Sequence, residues 1–256
     1  MARTIVITGA AVGLGRATAR RFAADGETVI LLGRTLSKVE ALAAELGAPC
    51  FAVECDVTSP DSVRAAFAAI AARHPKIDIL INNAAIYEPF SVAEATDTQI
   101  LSPLLTNFAG PIFCARSAIP MMEAGGHIIN VSSESVTVTF PLLSLYQSSK
   151  AGLERFSESL ARELEESGIR VTTVRAGPMY DEEKGSAWEP EVTMRFAAAC
   201  MKAGLNLMTR PVTHFKSVTD VFRAVIDMSV DIHLSTVVIE ARRGGPSIAQ
   251  MINKES

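Results

Sequence analysis

Short apolar runs alternate with longer stretches of helical spacing along most of the chain. The runs are rich in β-branched residues and end at Gly, Asn, Asp or Ser, which is typical of strands buried on both faces of a parallel sheet. They cover residues 4–8, 28–32, 50–54, 77–81, 127–131, 170–174 and 236–240. Between them, residues 17–24, 39–46 and 153–166 have apolar positions at helical spacing, and Ser59-Pro60-Asp61 indicates a helix start. The pattern predicts seven strands connected by helices.

A chain that alternates strand and helix in this way is typical of βαβ units. We therefore predict an α/β fold: a doubly wound parallel sheet of about seven strands with helices on both faces, in a single domain over residues 1–256. The longest departure from the alternation is residues 178–218, a segment rich in Met and aromatic residues after the sixth strand. Because ligands bind at the carboxyl ends of strands in open α/β sheets, this segment is predicted to be a variable substrate-binding region.

The composition limits the compartment and the partners. Apolar residues make up 48% of the chain and charged residues 20%, which excludes a disordered chain. The net charge is −4 and the basic residues are scattered, so neither nucleic acid nor a membrane is an expected partner, and no apolar run would span a bilayer. The four cysteines lack Cys-x-x-Cys spacing, and His127 lacks a partner at metal-binding spacing. We expect free thiols, no metal and a cytoplasmic protein.

A glycine-rich turn follows the first predicted strand and leads into the first helix. Its sequence is Thr8-Gly9-Ala10-Ala11-Val12-Gly13-Leu14-Gly15. Gly9 allows a sharp turn, Gly13 lets the backbone approach a pyrophosphate, and Gly15 lets the helix pack closely on the sheet. The helix N-terminus offers unpaired N–H groups to the phosphates. The predicted dinucleotide contacts in this turn are Gly9, Ala11, Val12, Gly13, Leu14 and Gly15.

The Gly-xxx-Gly-x-Gly spacing and four further motifs resemble the short-chain dehydrogenase/reductase family, in the branch whose chains are about as long as this one. In chain order the further motifs are Asn82-Asn83-Ala84-Ala85, Asn107 within Thr-Asn-Phe-Ala-Gly, Ser132-Ser133 and Tyr146-xxx-Lys150. The resemblance covers residues 3–180 and implies a Rossmann fold, a nicotinamide dinucleotide cofactor and oxidoreductase activity on a small molecule. It also implies a cofactor contact at Asn83, and a homodimer or homotetramer formed through helices over residues 98–123 and 145–167.

Tyr146 and Lys150 lie four residues apart and so share one face of the predicted helix. Because a nearby ammonium favours the phenolate, we expect Lys150 to lower the pKa of Tyr146 from its usual value of about 10. By resemblance, Tyr146 exchanges a proton with the substrate oxygen, and Lys150 also hydrogen-bonds the nicotinamide ribose. Ser133 is implied to hydrogen-bond the substrate oxygen, and Asn107 to position a water in a proton relay. The competing serine is Ser132, but the spacing to the tyrosine and the alternation of strand side chains favour Ser133.

The end of the second predicted strand bears on the choice of cofactor, because it reads Leu32-Gly33-Arg34. A carboxylate near this point binds the ribose 2′-hydroxyl of NAD and repels a 2′-phosphate, whereas an Arg pairs with that phosphate. With Gly33 at the acidic position and Arg34 after it, we predict NADP, with NAD as the alternative. Asp56 and Val57 end the third strand and are predicted cofactor contacts. By resemblance the Asp56 carboxylate accepts the adenine amino group, and a helix cap is its competing role.

The chain departs from the family pattern after the sixth predicted strand, where it reads Arg175-Ala176-Gly177-Pro178-Met179-Tyr180-Asp181. Gly177 matches the family, Ala176 replaces a Pro, and Asp181 stands where a Thr that contacts the nicotinamide amide is usual. Gly177 and Met179 are the predicted cofactor contacts in this stretch.

A set of apolar residues is expected around the site, and it suits a hydrophobic ketone or secondary alcohol. The set is Ile86, Tyr87, Phe140, Leu142, Leu143, Met179, Trp188, Met194, Phe196, Met201, Leu205 and Met208, although its Met-rich part also fits a core or dimer surface. We expect hydride transfer at a carbonyl carbon with Tyr146 as general acid/base. Two other functions fit the sequence: a dinucleotide-binding sensor or scaffold without turnover, against which the Tyr–Lys pair argues, and an isomerase or dehydratase that reuses its cofactor.

Overall fold

A seven-stranded parallel sheet forms the centre of the computed structural model, which describes residues 2–180 and 188–252. Its strands are β1 (Thr4–Thr8), β2 (Thr28–Gly33), β3 (Phe51–Glu54), β4 (Ile79–Asn82), β5 (His127–Ser133), β6 (Arg170–Ala176) and β9 (Thr236–Ile239). A separate parallel pair consists of β7 (Met179–Tyr180) and β8 (Thr213–His214). The order in the large sheet is β3-β2-β1-β4-β5-β6-β9, so the direction of winding reverses between β1 and β4. All the predicted strands are confirmed, as is the doubly wound sheet.

Helices cover both faces of the sheet. They are α1 (Gly13–Ala24), α2 (Leu36–Leu46), α3 (Pro60–Ala71), α4 (Asp97–Leu104), α5 (Gly110–Ala118), α6 (Ser144–Glu163), α7 (Pro190–Lys202), α8 (Phe215–Asp227) and α9 (Ile248–Ile252). Strand side chains alternate between the faces. Ile5 and Ile7 of β1 belong to the core cluster formed with α1, α2 and α8, whereas Val6 belongs to the cluster formed with α3, α5 and α6. The continuous apolar runs of the sequence therefore contribute side chains to two separate cores, one on each face of the sheet.

The prediction of one long helix over residues 98–123 is wrong in one respect, because the helix is not continuous. It is divided into α4, a π-helical segment (Leu105–Ala109) and α5. Pro103 lies inside α4 and Pro111 at the start of α5, and each proline lacks the N–H that an α-helix needs. The Gly110 N–H instead bonds to the carbonyl of Leu105, one residue further back than in an α-helix. The second long helix, expected over residues 145–167, is α6 and ends at Glu163.

The segment over residues 178–218 contains β7, α7 and β8, and it leads into α8. Asp181, the residue at the position of the family's Thr, lies outside the described residues. All four cysteines are free thiols. None of the helices in the described part of the chain is both long and apolar enough to cross a bilayer. Within the same residues, no group of three or more His, Cys, Asp or Glu side chains is placed to hold a metal ion.

Candidate active site

A cavity of about 720 Å³ opens at the carboxyl ends of the central strands, where the winding of the sheet reverses. This is the place where ligands bind in doubly wound sheets. Most of the residues predicted to form the site line it: Gly9, Ala11, Val12, Gly13, Leu14, Arg34, Asp56, Val57, Asn83, Ser133, Tyr146, Lys150, Gly177 and Met179. Gly15 and Asn107 are not among the lining residues. The structure therefore brings together residues from positions 9 to 179 of the chain.

The glycine-rich turn at one end of the cavity depends on its three glycines in different ways. Gly9 has a φ of +63°, and a Cβ there would lie 2.9 Å from the Cα of Ala84. Gly13 has a φ of +55°, in the left-handed region that favours glycine. A Cβ on Gly15 would lie only 2.3 Å from the carbonyl oxygen of Gly9. Gly15 therefore lets α1 pack beneath the turn, and its contribution to the cavity is indirect.

The N-terminus of α1 faces the cavity without an internal acceptor for its N–H groups. Val12 occupies the cap position with no side-chain hydrogen bond, and the first turn holds no acidic residue. Asn83 holds the turn in place: its Nδ2 donates to the carbonyls of Thr8 at 3.0 Å and Gly9 at 3.2 Å. The backbone N–H groups of Asn83 and Ala84 both donate to the hydroxyl of Thr8 at 3.0 Å. Sequence reasoning did not assign that role to Thr8.

The ends of β2 and β3 line the next part of the cavity. Arg34 and Lys38 are exposed there, and in the described part of the chain neither forms an ion pair. Lys38, in the first turn of α2, was missed by sequence reasoning, and its only signal was its position four residues after Arg34. A Cβ on Gly33 would lie 2.7 Å from Cγ1 of the buried Val39, so packing disfavours a carboxylate-bearing side chain at this position.

Asp56 lies at the same end of the cavity and stabilises the loop that follows β3. Its Oδ1 accepts hydrogen bonds from the backbone N–H of Thr58 at 2.9 Å and from the Thr58 hydroxyl at 2.8 Å. The cap of α3 is Ser59, whose hydroxyl accepts from the N–H of Ser62 at 3.2 Å. Asp56 is therefore not the helix cap, and within the described residues its Oδ2 accepts no hydrogen bond.

Tyr146 and Ser133 both line the other end of the cavity, and the Ser133 side chain lies close enough to lower the pKa of the phenol. The Ser133 hydroxyl oxygen also accepts from the Ser135 N–H at 3.2 Å. Ser132 points elsewhere, because its hydroxyl donates to Glu154 at 2.6 Å. This geometry favours Ser133 over Ser132 as the serine beside the tyrosine.

Burial controls the titration of Tyr146, and the expectation of a lowered pKa is wrong for this structure. Burial raises the pKa of Tyr146 to about 12; Ser133 opposes this shift, and Tyr87 and Glu134 make smaller contributions in the direction of burial. Lys150 contributes no resolved effect on that pKa. The phenol is therefore protonated at neutral pH.

Lys150 lies one turn after Tyr146 and is buried, with 2% of its surface exposed. Its Nζ donates to the carbonyl oxygen of Val131 at 2.6 Å. Burial lowers the pKa of Lys150 to about 8, and the carboxylate of Glu154 opposes that shift. Glu154 is itself held by Arg175, at 2.6 and 3.0 Å. Sequence reasoning missed this buried ion pair, although its carboxylate continues the spacing of the tyrosine and lysine by one more turn.

Asn107 is fully buried in the π-helical segment, and its side chain forms three hydrogen bonds within the protein. Its Oδ1 accepts from the N–H of Ile86 at 2.8 Å, and its Nδ2 donates to the carbonyl of Ile86 at 2.8 Å and to Ser149 at 3.1 Å. These bonds fix the segment that follows β4 against α6. The expected positioning of a relay water by Asn107 stays a prediction.

An aromatic cluster lines the cavity beside Tyr146. The ring centre of Tyr87 lies 5.7 Å from that of Tyr146 and 5.0 Å from that of Trp188, which lies 5.5 Å from Phe196. The Trp188 Nε1 donates to the carbonyl of Tyr87 at 3.0 Å. The other expected residues that line the cavity are Ile86, Phe140, Leu143 and Met179.

Five of the expected apolar residues do not line the cavity: Leu142, Met194, Met201, Leu205 and Met208. Met194 and Met201 are exposed because they occupy the outer face of α7, whose inner face is formed by Phe196 and Cys200. Sequence reasoning also missed several apolar lining residues, among them Val131, Leu207, Val212, Phe215 and Ile248.

The residues that follow β6 line the cavity and pack against the end of β9. A Cβ on Gly177 would lie 2.7 Å from the carbonyl oxygen of Ile239, and the Gly177 N–H donates to that oxygen at 2.9 Å. Ala176, which replaces a Pro, is buried and paired with Ile239 in the strand register. The close approach explains why a glycine follows β6.

The comparisons with known proteins agree with this geometry. The family model described as short chain dehydrogenase matches residues 3–191. The chain is 37% identical to the serine 3-dehydrogenase of Agrobacterium fabrum over 183 residues, which cover 69% of this chain and 72% of that protein. It is 29% identical over 238 residues to the NADP-dependent 3-hydroxy acid dehydrogenase YdfG of Salmonella typhi, covering 91% and 92% of the two chains.

Solved structures show the same relationship. A short-chain dehydrogenase from Streptomyces avermitilis superposes with a TM-score of 0.81 at 26% identity, over 93% of this chain and 88% of that one. Since the family model covers most of the chain and relatives in the family are dehydrogenases, this protein belongs to the short-chain dehydrogenase family and is an oxidoreductase of the carbonyl/alcohol type.

Proposed function

We propose that this protein is an NADP(H)-dependent oxidoreductase that interconverts a carbonyl group and a secondary alcohol on a small substrate with an apolar part. The observation that carries the proposal is that Ser133, Tyr146 and Lys150 line one cavity, with Lys150 one turn after Tyr146 along α6. These groups lie in the same cavity as the uncapped N-terminus of α1. The cavity thus joins a proton-transfer group to an anion-binding helix end.

The residues of the cavity fit a nicotinamide dinucleotide. The glycine-rich turn and the N-terminus of α1 would hold its pyrophosphate, because no side chain caps these N–H groups and no carboxylate stands in the first turn. Asp56 and Val57 would contact the adenine, and Gly177 and Met179 would lie towards the nicotinamide. When bound, the dinucleotide supplies or accepts the hydride.

Tyr146 would act as the general acid in the direction of carbonyl reduction. With a pKa of about 12 it holds its proton at neutral pH and can donate it to the substrate oxygen as the carbonyl carbon receives the hydride. Because the Ser133 oxygen accepts from Ser135, the Ser133 hydroxyl proton can be directed at the substrate oxygen. Lys150 would hydrogen-bond the nicotinamide ribose, and Asn107 would act by positioning Ile86.

Two cations support NADP over NAD. Arg34 and Lys38 line the cavity where a 2′-phosphate would lie, and Gly33 leaves no carboxylate to repel it. The relative YdfG is NADP-dependent by name, and the names of both relatives describe oxidation of a hydroxyl group. The two cations and the name of YdfG support NADP as the cofactor, and the names of both relatives support the alcohol/carbonyl chemistry.

The test is the initial rate of NADPH and NADH oxidation at 340 nm with a panel of apolar ketones. We expect turnover with NADPH, and in the double variant Arg34→Gln/Lys38→Gln a KM for NADPH raised by about 10- to 100-fold, because two charge-assisted hydrogen bonds are lost. The control is Arg64→Gln, an exposed cation on α3 paired with Asp61. Turnover with NADH alone would contradict the cofactor assignment. Tight NADPH binding without turnover in either direction would instead support a dinucleotide sensor.

We also propose that the protein is a homodimer or homotetramer that pairs through the faces formed by α4, α5 and α6, as the family resemblance implies. Leu101 on α4 and Leu105 in the π-helical segment are 53% and 39% exposed, and pairing through these faces would bury them. Light scattering that gives the mass of a single chain would contradict this assembly.

A further inference from the structure

An ion pair between Glu134 and Arg210 lines the cavity, and the chemistry described above gives it no role. Glu134 directly follows Ser133, and Arg210 lies between α7 and β8. The Arg210 Nη2 lies 2.6 Å from the Glu134 Oε2, and the two side chains are 24% and 20% exposed. Both residues line the same cavity as Tyr146. The pair therefore stands at the reacting end of the site, largely removed from bulk water.

The pair has hydrogen-bonding capacity that the protein does not use. The bond to Glu134 takes one of the five N–H donors of Arg210, and the guanidinium lies 5.2 Å from the ring centre of Phe140. Across residues 2–180 and 188–252, no other hydrogen bond is made by the Arg210 side chain or by the Glu134 Oε1. Both residues line the cavity, so these unused atoms are available to a polar ligand there.

The charges of the pair select among ligands. A lone carboxylate would be attracted by Arg210 but repelled by Glu134, and a lone ammonium would meet the reverse situation. A zwitterion offers each side chain a group of opposite charge. Glu134 directly follows Ser133 in the chain and lines the same cavity, so a group bound to its carboxylate would lie in the same part of the site as the reacting oxygen. The charge of Glu134 also contributes to the raised pKa of Tyr146, which agrees with this placement.

We propose, on the basis of the proposed function, that Glu134 and Arg210 bind the α-ammonium and α-carboxylate groups of a β-hydroxy-α-amino acid or of its β-oxo form. An aromatic or apolar group on the carbinol carbon would pack on the rings of Tyr87 and Trp188, which line the same cavity. In oxidation, the carbinol C–H passes as hydride to C4 of the oxidised nicotinamide cofactor. For this direction the Tyr146 phenol first releases its proton to water, and the hydroxyl proton then passes to the phenolate as the C–O bond becomes a carbonyl.

The experiment compares kcat/KM for four matched alcohols at saturating NADP⁺. They are 3-phenylserine, 3-hydroxy-3-phenylpropanoate without the ammonium, the methyl ester of phenylserine without the carboxylate, and 1-phenylpropan-1-ol without either charge. We expect phenylserine to be the best substrate, and the loss of either charge to lower kcat/KM by at least about tenfold, since hydrogen bonds to charged groups contribute strongly.

Variants assign each charge to its residue. Arg210→Met should abolish the advantage given by the substrate carboxylate, and Glu134→Gln the advantage given by the ammonium. Either single change leaves one charge of the pair without its partner, which can lower the stability of the protein. The double variant Glu134→Gln/Arg210→Met removes both charges, so its result is not affected by an unpaired charge. It should bring the four substrates to similar kcat/KM values. The matched control is Glu94→Gln/Arg195→Met, which removes an ion pair of 2.7 Å at exposed positions.

Several results would overturn the inference. They are equal rates for phenylserine and 1-phenylpropan-1-ol, a preference for 3-hydroxy-3-phenylpropanoate, or a double variant that keeps the wild-type preference. Turnover of simple ketones with NADPH but of none of the four alcohols would also overturn it and would leave the proposed function in place. Absence of turnover with every alcohol and every ketone would mean that the proposed function itself is wrong.

Discussion

At the scale of single residues, burial determines the chemistry of Tyr146 and Lys150. Moving an ionisable group out of water disfavours its charged form, which raises the pKa of a tyrosine and lowers that of a lysine. The two pKa values therefore move towards each other, to about 12 for Tyr146 and about 8 for Lys150. At neutral pH the protein holds a neutral phenol beside an ammonium, a state that suits proton donation to a carbonyl oxygen.

Replacing Tyr146 with Phe tests the proton transfer directly. The change removes only the hydroxyl, so we expect kcat for carbonyl reduction to fall by about 10²- to 10⁴-fold, the usual contribution of a general acid. Cofactor affinity, measured by fluorescence titration with NADPH, should change much less. The control is Ser148→Ala, an exposed position on the same helix. A Phe variant with wild-type kcat would rule out Tyr146 as the proton donor.

Replacing Glu154 with Gln tests whether the ammonium of Lys150 supports the reaction. Activity that needs this ammonium should fall as the pH rises through about 8, the pKa of Lys150 in the fold. The carboxylate of Glu154 raises the pKa of Lys150, so removing this carboxylate should move the fall in kcat to lower pH. The same substitution also leaves Arg175 without its partner. In Glu158→Gln, one turn further along α6 at an exposed position, the pH profile should not move. An unmoved profile in Glu154→Gln would contradict this role.

At the scale of elements, close packing at the start of α1 decides whether the phosphate-binding turn can form. Gly15 and Gly152 are both helical glycines, in α1 and α6 respectively, but only the first lies against backbone atoms. A Cβ on Gly15 would meet the Gly9 carbonyl at 2.3 Å, whereas one on Gly152 would make an ordinary contact of 3.4 Å with the ring of Phe108.

Substitution by alanine should therefore have opposite effects on stability at Gly15 and at Gly152. Gly15→Ala should displace the turn, lowering the free energy of unfolding by about 1–3 kcal/mol and weakening NADPH binding, as overpacking of a tight site does. Gly152→Ala should be neutral or stabilising by up to about 1 kcal/mol, because alanine favours a helix over glycine. Urea denaturation and NADPH titration measure both effects. Equal stability of the two variants would contradict the close approach at Gly15.

The π-helical segment determines the surroundings of the Asn107 side chain. A continuous helix would carry this side chain on a regular face, whereas the segment between Pro103 and Pro111 holds it buried against Ile86 and Ser149. Asn107 is therefore a positioning residue for the chain that follows β4. The prolines were visible in the sequence, but the direction of the side chain follows from the altered helical hydrogen bonding.

At the scale of the whole molecule, the cavity combines residues from the ends of six strands of the large sheet or the loops that follow them. A ligand that contacts so many elements binds only the folded chain and therefore stabilises it by mass action. The two cations at the end of β2 and the start of α2 should make that stabilisation specific for a 2′-phosphate.

Thermal unfolding measures this coupling. At a hundred times its Kd, NADPH should stabilise the fold by about 2.7 kcal/mol, which corresponds to a rise in Tm of roughly 5–10 °C for a chain of this size. NADH at the same concentration should raise Tm less. In Arg34→Gln/Lys38→Gln the difference between the two cofactors should disappear. A larger shift with NADH in the wild type would contradict the NADP assignment.

The sequence by itself determined the architecture and most of the cavity. Buried strands are continuous apolar runs, and the order of the motifs at their ends carries over to the structure because parallel strands place all those ends at one edge. Gly9 and Ser133 could therefore be assigned to one edge of the sheet from their positions in the chain, and the family resemblance added Tyr146 and Lys150 of α6. These features depend on local spacing and on the regular geometry of βαβ units.

Only the tertiary structure decided the direction of side chains and the charge state of the site. The raised pKa of Tyr146, the internal bonds of Asn107 and the outward face of Met194 and Met201 depend on what packs around each group. The pair Glu134–Arg210 joins residues 76 positions apart. Burial and long-range pairing are properties of the assembled fold, because they arise from atoms that are distant in the chain and close in space.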